Sequence, residues 1–193
     1  MRNMPSIDVL LDNMRPALRR RIMCEAFFVP EFMPGMRFYQ SGTQLYVEGR
    51  TGTHRRPNAY KTRITIPPQY PNRAPDLYVL SPHTLYMRDG QRTVNSLGFN
   101  HAFHTMDNGS DGCVQICHTH TWDASMTCVT VLGKLAVWLE AYETHLRTGE
   151  TIDAFIEKMK ERNHDAPDAN RQRDTRPLRS VANGNAARRP VSQ

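Results

Sequence analysis

Long apolar runs are missing from this 193-residue chain, so no membrane-spanning helix and no membrane partner is expected. The N-terminal stretch mixes Met, Pro, Asp and Arg around no apolar signal core, and a cytoplasmic protein is the expectation. No internal repeat is present, and the length suits one domain with room for a tail. Cysteine is sparse, at four residues, and three of them (Cys113, Cys117, Cys128) fall close together, with Cys24 far upstream. In a reducing compartment such cysteines are expected as free thiols, ligands or nucleophiles rather than as disulfide staples.

The charge balance is +6, and much of it lies near the C-terminus. A solvated basic tail accounts for that excess better than a nucleic-acid surface does, so a nucleic-acid partner is disfavoured. Beyond Glu161 the chain carries almost no large apolar residue and cannot bury enough surface to order itself. The expected division is a folded domain over 1–160 and a basic, disordered tail over 161–193.

Within the domain, Ile7, Leu10, Leu11, Met14, Leu18 and Ile22 recur at helical spacing, with Ser6 as N-cap. Pro16 interrupts them, which predicts a kink or a second helix starting there. Met36 to Gln40 and Gln44 to Glu48 alternate and meet at Ser41-Gly42, predicting a hairpin. Tyr60, Thr62, Ile64 and Ile66 alternate with Lys61, Arg63 and Thr65, a strand with one buried face, and Asp76 to Leu80 predicts another. Residues 83–112 form a long passage rich in turn formers, and such passages inside a domain usually carry function. Val131, Leu132, Leu135, Trp138, Leu139, Tyr142 and Leu146 make one apolar helical stripe stopped by Gly149. A shorter helix follows around Ile152 to Met159. Helix, strands in series, loop, then helices predict an α+β fold with an antiparallel meander.

The chemistry-bearing residues cluster between His101 and Trp122. Cys113 follows Gly112 in a Gly-rich loop near His101 and His104, a setting that would expose a sulfur and raise its thiolate fraction. His101, His104, Cys113, Cys117, His118 and His120 also offer the ligand types of tetrahedral zinc, although Cys-x-x-x-Cys followed directly by His-x-His is crowded. From these residues alone, a nucleophile and a zinc-binding domain stand level.

Cys113-Val-Gln-Ile-Cys117 followed by Trp122-Asp-Ala-Ser-Met-Thr127 resembles the ubiquitin-conjugating enzymes, in which a nucleophilic cysteine precedes an apolar run and a Trp-initiated segment opens a helix. Upstream, Tyr60 to Ile66, Pro67-Pro68-Gln69-Tyr70-Pro71 and Ala74 to Val79 resemble that family's strand, proline and strand succession. The ordered series, over about residues 14–160, carries the resemblance. It implies the UBC-like fold, an antiparallel four-stranded meander with an N-terminal helix and C-terminal helices. It also implies that Cys113 forms a thioester with the free C-terminus of a donor protein and passes it to a lysine-bearing acceptor, with no metal or organic cofactor. Trp138 to Glu143 and Leu146 to Gly149 resemble the bacterial members found in antiviral-defence operons of the CBASS type. There the donor is a cGAS-like nucleotidyltransferase, and an activating enzyme is used by some systems and not by others.

The chain departs from the family in lacking His-Pro-Asn before the cysteine. His104 and His83 each match part of that spacing. Asn108, Asn100 or a backbone N–H could support the oxyanion. Asp111 and Asp123, with Asp107, are candidates to take the acceptor's proton. Cys117 could mask Cys113 in a disulfide and make activity redox-sensitive. The missing Asn keeps a catalytically inactive interaction module in view beside the enzyme and the zinc domain.

Overall fold

A computed structural model describes residues 14–109 and 111–165. Its elements are α1 (Pro16–Phe32), β1 (Met36–Ser41), β2 (Gln44–Thr51), β3 (Tyr60–Ile66), β4 (Asp76–Ser81), β5 (Val114–Ile116), α2 (Cys128–Thr148) and α3 (Ile152–Asp165). The fold class is the expected α+β, but the sheet has five strands rather than four, all antiparallel and in sequence order. The fifth is only three residues long, and β4 supplies its partners through Leu77↔Ile116 and Val79↔Val114. Tertiary pairing creates β5, so alternation could not announce it.

The hairpin β1–β2 turns at Gly42, whose φ of +57° lies in the left-handed region that glycine enters without a side-chain clash. Along β3, Tyr60, Thr62, Ile64 and Ile66 are buried while Lys61, Arg63 and Thr65 are half-buried on the other face. That buried face meets Val47, Leu77 and Val79 and is covered by Val131, Leu132, Leu135 and Leu139 of α2. Each such aliphatic side chain contributes about 1.5–3 kcal/mol on burial.

The first helix starts at Pro16, where a missing N–H costs nothing; the apolar positions from Ile7 to Leu11 and the Ser6 cap lie outside the described residues. Helix α2 is capped by Thr127, which accepts from Thr130 N, and ends where Gly149 takes φ +82°. Glu25 of α1 is 3% exposed and also serves this helix start. Its Oε2 accepts from Cys128 N at 2.8 Å, while Arg21 and the Tyr70 hydroxyl donate to Oε1. Three donors, one of them a guanidinium, offset the burial of this carboxyl group. Helix α3 continues to Asp165, across the expected boundary at 160; residues 166–193, most of the expected tail, lie outside the described residues. No helix of the described residues is long and apolar enough to cross a membrane.

Candidate functional site

Cys113 stands at the head of β5. Thr105 bridges Ile116, Met106 N donates to Gln115 O at 2.9 Å, and Gly109 N donates to Cys113 O at 3.1 Å. Residues 105–109 and 111–116 thus run back along each other, with Cys113 on the returning side. Gly112 takes φ +77°, beside the His83 ring.

The sulfur is not exposed, contrary to what a Gly-rich loop suggests. Cys113 is 3% exposed. Burial, together with a hydrogen bond from the thiol to the Asp111 carboxylate, pushes its pKa up to about 11. No imidazole lowers it. Asp111 itself accepts from Cys113 N at 3.1 Å and is held below the usual carboxylate range, chiefly by that backbone donor. A lasting carboxylate beside a protonated thiol is the electrostatic signature of this spot.

Three of the other candidates join Cys113. His83 Nε2 donates to Asp111 O at 2.8 Å. Asn108 Nδ2 donates to Asn95 O at 2.5 Å. Asn95, which sequence reasoning did not single out, ties the group together: Nδ2 donates to His83 O at 2.9 Å and to Gly112 O at 3.0 Å, and Oδ1 accepts from Leu85 N at 2.9 Å. An amide side chain can bind two carbonyls and one N–H at once, which suits it to fastening loops. An asparagine within a loop-rich stretch was the only sequence signal, and it carries no periodicity. With its donors engaged, Asn95 positions the Cys113 turn. Asn100 instead caps a turn by accepting from Phe103 N at 3.1 Å.

His104 and Asp123 do not join this group. His104 Nε2 donates to Asp153 Oδ1 of α3 at 3.0 Å, in a left-handed turn at φ +48°. Asp123 is exposed and accepts from Ser125 N at 2.8 Å ahead of α2. Cys113 and Cys117, considered above as a disulfide pair, do not meet in this structure. Both cysteines are free thiols, and an extended three-residue strand between them sets their Cα atoms about 13 Å apart, well outside disulfide range.

Cys117, half-buried, belongs to a different place: a cleft of about 650 Å³ between the segment after β5, α2 and α3. His101 stacks on His120 with centroids 5.8 Å apart and lies 5.5 Å from His104. His118 also lines the cleft, with Nε2 donating to Pro75 O at 2.8 Å, and burial holds its pKa below the ordinary imidazole value. Among the described residues, no group of three or more His, Cys, Asp or Glu side chains is arranged to hold a metal ion. Of the six His and Cys residues, Cys113 lies at the other end of β5, while the other five line the cleft, with His104 engaged by Asp153 and His118 by Pro75 O.

No family model, curated protein or solved structure matches this chain. The geometry of the two cysteine environments therefore bears the functional argument.

Proposed function

We propose that the chain is a ubiquitin-conjugating-enzyme-like transferase, in which Cys113 carries a donor protein's C-terminus as a thioester and yields it to a lysine amine. The observation that carries this reading is the place of Cys113, held by Asn95, Asn108 and His83 at the head of β5, between the sequential meander and the closing helices. The succession of helix, sequential antiparallel meander and closing helices supports it.

In the loading step the Cys113 sulfur attacks the donor's activated carbonyl carbon. A new S–C bond forms, the bond to the previous carrier breaks, and the thiol proton leaves with that carrier. In the transfer step an amine nitrogen attacks the same carbon, the C–N bond forms, and the C–S bond breaks. Asp111 is placed to take the amine's proton, and the departing thiolate is reprotonated. A thiol of high pKa is a poor leaving group, so the loaded ester resists stray attack until an acceptor is positioned. Loading requires the sulfur, 3% exposed in this structure, to become accessible to the donor. The donor we propose is the C-terminus of a cGAS-like nucleotidyltransferase in an antiviral-defence operon, on the α2 sequence similarity.

The test is co-expression with the neighbouring genes, followed by reducing and non-reducing gels. A reducible adduct, lost in Cys113→Ala and converted to an alkali-labile ester in Cys113→Ser, supports the proposal. The burial of Cys113 favours one second reading, an inactive interaction module of the same architecture. It predicts a tight complex with the partner and no covalent adduct under any of these conditions.

A further inference from the structure

The cleft at Cys117 is built unlike the Cys113 turn. Its floor is apolar, with Ile116, Val131 and Trp138, and flat rings stand around it: Trp122 and the stacked His101–His120 pair. Its acids are already engaged. Asp153 accepts from His104, and Glu157 pairs with Lys160 at 2.6 Å. Lys134 also lines the cleft, is exposed, and has no ion-pair partner among the described residues; its charge reaches as far as His118. A volume of about 650 Å³ suits a small molecule.

We infer that this cleft binds a small anionic aromatic molecule. Its ring system would lie over the apolar floor against the imidazole stack, with its acidic group at Lys134. Stacking on flat rings and one charge-assisted contact at the rim supply orientation, and the apolar floor supplies most of the affinity. Cys117 lies in the wall, so an occupant shields its thiol.

The probe is 1-anilinonaphthalene-8-sulfonate, an aromatic sulfonate. Both tryptophans of the chain line the cleft, so energy transfer from tryptophan to the dye reports binding, and Lys134→Glu together with Cys117 protection locates it. The expected result is saturable one-to-one binding, weakened roughly tenfold by Lys134→Glu and unchanged by Phe27→Ser, which removes an exposed phenylalanine of α1. Peptide mass spectrometry after maleimide treatment should show Cys117 protected by saturating dye and the exposed Cys24 not. Absence of saturable binding, binding indifferent to Lys134→Glu, binding lost in Phe27→Ser, or unprotected Cys117 at saturation would each overturn the inference.

Discussion

Cys113 and Cys117 are four residues apart in sequence and occupy opposite kinds of surroundings. At one end of β5 a thiol is closed under a polar turn, beside a carboxylate, with its neighbours fastened by amide side chains. At the other end a half-buried thiol lines an open cleft among imidazoles and aliphatic residues. The same residue type is made inert to casual reagents in one place and accessible in the other. An extended strand is what permits this, because each residue adds about 3.3 Å and the two ends meet different elements.

The largest effect expected from this contrast is on conjugation. Cys113→Ala should reduce adduct formation by roughly a thousandfold or more, while Cys117→Ala should leave it within about twofold; gel densitometry on the two variants separates them. If the losses were equal, the distinction between the two ends of β5 would fail.

Next in size is thiol reactivity. With a pKa of about 11, Cys113 carries a thiolate fraction of roughly one in a thousand at pH 8, and its alkylation rate should rise about tenfold per pH unit toward pH 11. Asp111→Asn removes a negative charge from beside the thiol and should shift that rise to lower pH. A rate profile for Cys113 by mass spectrometry, with Cys24 as internal reference, checks both signs.

Smaller still is the role of Asn95. Asn95→Ala leaves the Leu85 N–H and the Gly112 and His83 carbonyls without their partner and should cost about 1–3 kcal/mol. It should also speed alkylation of Cys113 without changing Cys117. Urea unfolding and the same alkylation assay read the two effects.

Comparable in size is the dependence of stability on alkaline pH. The folded chain holds the Cys113 proton more tightly than an unfolded thiol with its ordinary value near 9. Its contribution is therefore fully present below pH 9 and is lost as pH climbs from 9 through about 11. The slope of stability against pH in that window should flatten in Cys113→Ala.

Much of the fold was readable because burial imposes a period. The alternation from Tyr60 to Ile66 and the stripe from Val131 to Leu146 each describe a face that meets the core, and β3 and α2 appear where those patterns lie. β5 escaped notice since three residues cannot establish a period and its pairing depends on β4. In the site, Cys113, His83, Asn108 and Asp111 do come together, whereas His104 and Asp123 were drawn away by Asp153 and Ser125. Residues 83–112 are held by side-chain to backbone bonds, of which Asn95 supplies three, and such bonds leave no trace in hydropathy. Glycines around a cysteine suggest an open loop, yet Cys113 is buried beside residues that are distant in sequence, such as Asn95 and His83 bonded to its turn.

Peptide mapping of the covalent adduct tests the central claim most directly. The protein, co-expressed with its neighbouring genes and purified without reductant, would be digested and the modified sulfur located by tandem mass spectrometry. A partner's C-terminal peptide joined through a thioester to Cys113 is the predicted result; the same peptide on Cys117, or no acylated cysteine at all, would contradict it.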